Sequence, residues 1–140
     1  NVFKIGGDNL LNIENKIENL KRYFSKQPNI LGVWIVGSYG TKYQREDSDI
    51  DFAILFDRDT DDLEEMKFAC DITEILNIEN IDTINLRKAP ITLQFKAIKG
   101  RNLYEADYIK VCDYIEYVID NYGDKKYYLD KFERDYFAAL

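Results

Sequence analysis

Asp47, Asp49 and Asp51 fall within five residues of one another in the stretch GSYGTKYQREDSDIDF, residues 37–52, which opens on a Gly37-Ser38 pair. Carboxylates that close repel one another unless something positive sits between them. Side chains two residues apart on an extended strand share a face, so Asp49 and Asp51 present their carboxylates together. The plain alternative is a charged strand end that faces water. Three features weigh against it. Gly37-Ser38 directly follows an apolar run, so backbone N–H groups and the serine hydroxyl can converge on a phosphate at the start of a short helical turn. Ten residues separate Ser38 from Asp49, which lets the phosphate grip and the carboxylates face one cleft. Asp82, near the start of IDTINL, can add a third carboxylate; a capping or exposed strand-end Asp is the alternative there.

Three carboxylates beside a phosphate grip suit Mg²⁺, a hard ion that takes oxygen ligands and keeps substrate phosphates and waters around it. Two such ions can stabilise the attacking and leaving oxygens of an in-line displacement at phosphorus, which is nucleotidyl transfer. The chain has no histidine. That excludes Ser-His-Asp and Cys-His nucleophile systems, histidine-ligated zinc and the commonest general base. Within the loop, Lys42 or Arg45 can either reach phosphate oxygens or stay solvated, and Tyr39 can either stack on a base or fill space.

The elements that must position these groups follow from periodicity. Asp8 or Asn9 is expected to cap a first helix carrying Leu10, Ile13, Ile17, Leu20 and Phe24, ending near Gln27-Pro28. Residues 30–36 form a nearly continuous apolar run, expected as a buried central strand. Ile50, Phe52, Ile54 and Phe56 alternate with Asp49, Asp51, Ala53 and Leu55, the period of a second strand. Residues 60–77 read as a helix capped by Thr60, with Leu63, Met66, Cys70, Thr73 and Leu76 on its inward face. A third strand is expected over 81–86, then a helix opened by Ala89-Pro90 and carrying Ile91, Phe95 and Ile98. Gly100 closes that helix, and Asn102-Leu103-Tyr104 reads as a short edge strand. The last long helix spans about 107–121, with Ile109, Cys112, Ile115, Val118 and Ile119 inward. The result is an α/β domain: a small mixed β-sheet flanked by α-helices.

Composition narrows the class further. At 140 residues and 46% apolar content the chain is expected to be one domain, residues 1–140, with a real core. Nineteen basic against 26 acidic residues, net −7, argue against a broad nucleic-acid-binding surface. Cys70 and Cys112 show no metal-type spacing and are expected as reduced core residues. No run is long enough to span a membrane, and no signal-peptide core opens the chain, so a soluble, cytoplasmic protein is expected. The chain begins on Asn rather than Met, which leaves room for residues ahead of it.

Gly37-Ser38, ten intervening residues and Asp49-Ile50-Asp51 match the GS-x10-DxD signature, and the chain therefore resembles the DNA-polymerase-β-like nucleotidyltransferases. DSDIDFAI, IDTINLRKAPITLQFKAIKGRNLYE and the overall length resemble the minimal nucleotidyltransferase group, antitoxins paired with HEPN-domain toxins. The resemblance covers about residues 10 to 120. It departs at position 40, Gly where many relatives carry Ala, and at position 42, Lys where glycine is common. It implies a polymerase-β-like fold without a separate substrate domain, ATP as substrate and Mg²⁺, two ions in all. Asp49, Asp51 and Asp82 would be metal ligands and catalytic residues, with Asp82 also positioning and helping to deprotonate the attacking hydroxyl. Gly37 and Ser38 would bind the triphosphate.

The implied activity is transfer of AMP from ATP to a tyrosine of a cognate HEPN toxin, an RNA-cleaving protein, within a hetero-oligomer. An acidic chain suits a partner with a basic RNA-binding surface. One alternative is a stoichiometric clamp on the toxin, with a secondary nucleotide site; another is a nucleotidyltransferase for small hydroxyl compounds, which usually adds an acceptor-binding domain. Tyr128, Phe132 and Tyr136 lie four apart in the segment from about 124. On a helix they would form one stripe, packing back onto the domain or meeting a partner.

Overall fold

The computed structural model describes residues 10–122 together with 130, 131 and 134. A 3-10 turn, Glu14–Lys16, leads into α1 (Ile17–Ser25), followed by β1 (Ile30–Val36), β2 (Ile50–Phe56), α2 (Asp62–Leu76), β3 (Ile81–Asn85), α3 (Ile91–Ile98), β4 (Arg101–Glu105) and α4 (Tyr108–Asn121). The four strands lie in the order β3-β2-β1-β4. β1 pairs antiparallel with β2 and β4, and β2 pairs parallel with β3. The sheet is therefore mixed, with its two most apolar strands at the centre. Helices cover both faces, because β1 and β2 are buried on both sides.

Strand parity assigns the layers. Val33, Ile35, Ile50, Phe52, Ile54 and Phe56 pack with Ile17, Leu20 and Phe24 of α1 and Phe68, Ile72 and Leu76 of α2. Trp34, Val36, Ala53 and Leu55 face the other way, against Ala97 of α3 and Val111 of α4. Phe95, Ile98 and Val118 extend that second layer between the two helices.

Several expectations need correction. The first helical turn begins at Glu14, so Leu10 precedes the helix; the proposed caps Asp8 and Asn9 lie outside the described residues. The cap of α2 is Asp61, whose carboxylate accepts from Glu64 N–H at 2.8 Å, and Thr60 is buried ahead of it. The inward face of α2 is Phe68, Ile72 and Leu76, whereas Leu63 is 76% exposed and Met66 61% exposed. Two apolar stripes compete on this helix, and the aromatic one fits the gap between α1 and β2. On α4, Val111 and Val118 are buried while Ile109 is exposed, because the face carrying Val111 packs against Trp34, Val36 and Leu55 of the sheet. Both cysteines are free, but Cys70 is exposed and Cys112 half-buried, so neither belongs to the core. The Tyr128, Phe132 and Tyr136 stripe lies outside the described residues. Among the described residues, no helix is long and apolar enough to cross a membrane.

Candidate functional site

The sheet topology gathers three chain segments at one end. β1 finishes where β2 begins, with Val36 opposite Asp51, and Gly37 is the next residue. β3 starts alongside β2 in the same direction, with Ile50 opposite Ile81 and Asp51 opposite Asp82. Parallel neighbours in register place their side chains on the same face, about 4.8 Å apart at the backbone. Asp51 shares its parity with Ala53 and Leu55, and Asp82 shares its own with Ile84, all of which pack in the α3/α4 layer. Asp49 sits one residue ahead of β2 and is exposed. Asp82 is also exposed and Asp51 half-buried, whereas Asp47 stays in the exposed loop before the strand.

Electrostatics tie the three together. Burial pushes the Asp51 carboxyl above the usual carboxylate range, and repulsion from Asp82 and then Asp49 adds to the push, while Lys96 opposes it. Asp51 is thus a carboxylate whose folded surroundings penalise its charge, the condition a bound cation relieves. Among the described residues, no three His, Cys, Asp or Glu side chains form a ready metal cage. The donor set still fits a magnesium-like ion, which is commonly held by one or two carboxylates and completed by substrate phosphates and water.

The turn beside them is built for close approach. Gly37 has φ +89°, and a Cβ added there would stand 3.0 Å from Asp51 Oδ2. Gly40 also has positive φ, +74°. Ser38 O accepts from Thr41 N–H at 3.0 Å and from the Thr41 hydroxyl at 2.7 Å, so a chain of turns, rather than the expected helical turn, follows the strand. The Ser38 and Tyr39 N–H groups have no acceptor among the described residues, leaving them available to an anion.

A brace from the start of the chain fixes this loop. The Gln44 side chain accepts from Gly40 N–H at 2.9 Å and donates to Leu11 O at 2.8 Å. The Tyr39 hydroxyl accepts from Ile13 N–H at 2.9 Å and donates to Glu14 Oε2 at 2.7 Å. Arg101 closes the set with two hydrogen bonds to Glu14, each 2.9 Å. Burial, with Glu14 adding to it, pushes the Tyr39 phenol up to about 12 against the opposing Ile13 N–H. Arg101 and Tyr39 hold the Glu14 carboxyl below its ordinary range, against the effect of burial. The Tyr39 hydroxyl is committed to this brace, and its ring is partly buried against the core layer of α1 and α2.

Gly37 and Ser38 open onto a cleft of about 640 Å³, whose wall also carries Tyr39, Lys96, Lys99 and Arg101. Asp49, Asp51 and Asp82 do not line it; Asp51 adjoins it through Gly37. Lys42 and Arg45, the loop cations considered from sequence, are not among its lining residues, and Lys42 lies 5.2 Å from the Tyr43 ring centre. The cleft's cations come instead from α3 and β4. The sequence signal for them is the pair Lys96 and Lys99 at helical spacing just before Gly100, a pattern that ordinarily marks a solvated helix face.

Paired strand-borne aspartates beside a glycine–serine turn, on a mixed sheet with helices on both faces, are the architecture of a polymerase-β-like nucleotidyltransferase. The chain belongs to that family: the model for polymerase β nucleotidyltransferases matches residues 18–109. Solved structures agree on the fold. A toxin–antitoxin with AMP-PNP superposes with a TM-score of 0.65 at 24% identity, covering 91% of this chain and 99% of that one. A double mutant of the toxin–antitoxin MntA–HpeT gives 0.64 and 25% over the same shares. A tri-AMPylated Shewanella oneidensis HEPN toxin in complex with MNT antitoxin gives 0.59 and 22%, over 89% and 95%. No curated protein matches the sequence significantly.

Proposed function

We propose that this nucleotidyltransferase is an antitoxin that transfers AMP from ATP to a tyrosine of a cognate HEPN ribonuclease toxin in the cytoplasm, neutralising it. The observation that carries the reading is the register that sets Asp51 beside Asp82, one residue from Gly37, with Asp51 carrying an unfavourable charge. The structural likeness to an AMP-PNP complex and to a complex of an AMPylated HEPN toxin supports it.

In this reading Gly37 and Ser38 hold the triphosphate with backbone N–H groups and a hydroxyl. Asp49 and Asp51, with Asp82 as third carboxylate, would hold Mg²⁺, which when bound would neutralise charge on the phosphates and lower the barrier to displacement. The toxin's phenolic oxygen attacks the α-phosphorus of ATP, and the bond from that phosphorus to the α,β-bridging oxygen breaks. Pyrophosphate leaves and a tyrosyl-AMP phosphodiester remains. The phenol's proton goes to the Asp82 carboxylate, which lies exposed at the start of β3 where an incoming hydroxyl can reach it.

A clamp reading has one observation in its favour: Leu63, Met66, Tyr108, Ile109 and Tyr117 are large apolar side chains left exposed. The two separate cleanly. Toxin incubated with the protein, ATP and magnesium should gain adenylate mass by mass spectrometry, and Asp49→Asn with Asp51→Asn should abolish the gain. A double variant that adds no adenylate yet still neutralises the toxin in cells would establish the clamp.

A further inference from the structure

The junction between α3 and β4 is pressed onto the central strand. A Cβ on Gly100 would lie 2.4 Å from Ile35 O, so only glycine fits there. That contact brings the last turn of α3 to the end of β1, and Lys96 and Lys99 onto the wall of the cleft that Gly37 and Ser38 open into. Three cations therefore border the cleft, and two are held in direct contacts. Arg101 is held in its double hydrogen bond to Glu14. Lys99 Nζ lies 5.1 Å from the centre of the Phe95 ring, which it faces as a cation over an aromatic. Lys96 is exposed and makes no hydrogen bond or salt bridge among the described residues, although its charge is felt by Asp51.

A polyphosphate entering this cleft meets an electrostatic problem. It brings several negative charges beside Asp49, Asp51 and Asp82, in a chain of net charge −7. Neutral N–H groups and one hydroxyl can orient phosphate oxygens, but they add no net positive charge. A lysine ammonium on a flexible stem is a compact charge that can follow phosphate oxygens without demanding one geometry. We propose that Lys96 is the cation that holds the β- and γ-phosphates of the nucleotide against the Gly37-Ser38 turn, making α3 part of the substrate site. This rests on the nucleotide-binding reading above and goes beyond it by assigning a residue outside the GS-x10-DxD signature. Lys99 and Arg101 shape the same wall with their charges committed elsewhere.

The test is titration calorimetry of wild-type protein, Lys96→Gln and Lys96→Arg, with ATP, AMP and inorganic tripolyphosphate as separate probes in magnesium-containing buffer. Lys96→Gln should bind ATP and tripolyphosphate at least about tenfold more weakly, about 1.4 kcal/mol, while AMP affinity stays within about twofold. Lys96→Arg should recover most of the loss, and the deficit should shrink as salt is raised. Unchanged ATP affinity in Lys96→Gln, or an equal loss for AMP and ATP, would overturn the assignment. Wild-type protein that binds tripolyphosphate through Lys96 but not ATP would leave the assignment standing and remove the nucleotide reading. Wild-type protein that binds neither would end both.

Discussion

Replacing Asp51 by Asn should make the folded protein more stable while removing its activity. Asp51 and Asp82 are register partners on parallel strands, so their charges lie roughly 5 Å apart by strand spacing. Coulomb repulsion at that separation is about 3 kcal/mol at an effective dielectric of 20 and about 0.8 kcal/mol in bulk water. Both groups reach solvent and Lys96 offsets part of the repulsion, so the net gain from neutralising Asp51 is set near the lower value, about 1 kcal/mol. For a chain of this size that is a rise of about 3–5 °C in Tm. The pH dependence has a definite sign. The folded-state pKa of Asp51 is raised, so its protonation favours the fold: that stability is fully present below the unfolded value of about 3.9 and lost as pH rises through the folded pKa. The difference between Asp51→Asn and wild type should therefore be largest near pH 7 and fade toward pH 4. Circular-dichroism melts across pH 4–8, at low salt and again at high salt, read this directly. Magnesium should narrow the gap by stabilising wild type alone. A variant melting at or below the wild-type temperature at pH 7 and low salt would refute the argument that these carboxylates are held together against their own repulsion.

Two further perturbations probe the surrounding frame. Gly37→Ala forces an L side chain to φ +89° and puts its Cβ 3.0 Å from Asp51 Oδ2, so a loss of about 1–2 kcal/mol and a sharp fall in AMP transfer are expected from denaturant melts and the mass-spectrometric assay. Ile72→Ala, at a fully buried site on α2, should cost about 2–5 kcal/mol, whereas Met66→Ala on the same helix should stay within about 0.5 kcal/mol. Urea titrations giving the opposite ranking would return the inward face of α2 to the Leu63, Met66 and Cys70 stripe.

The central strands were legible for different reasons: burial on both faces makes β1 a nearly continuous apolar run, while β2 showed itself through the alternation of Ile50, Phe52, Ile54 and Phe56 with their neighbours. Helix orientation was harder to read. α2 offers two stripes, and only the position of the first helix and β2 decides that Phe68 and Ile72 turn inward while Leu63 and Met66 face out. α4 hides its rotation in the same way, since Ile109 and Val111 are both apolar and only packing against the sheet separates them. At the candidate site, Gly37, Ser38, Asp49 and Asp51 could be proposed from spacing because they flank one loop. Asp82 could be proposed from its place near the start of the third strand, but its position beside Asp51 depends on the parallel pairing of β2 and β3. Lys96 was out of reach altogether: its place beside the turn depends on Gly100 meeting Ile35, a contact between segments more than sixty residues apart.

The double burial of β2 has a consequence for how the site can change over generations. Ile50, Phe52, Ile54 and Phe56 fill one layer and Ala53 and Leu55 the other. A slide of a single residue past either neighbour would hand each of these side chains to the wrong layer, driving aromatic rings into space shaped for alanine. Carboxylate spacing at the tip of the strand is thus policed by misfolding before it is ever exposed to selection on activity. The 39–48 loop is tied down separately, through Tyr39, Gly40 and Gln44, so strand and loop hold the two halves of the site by independent means.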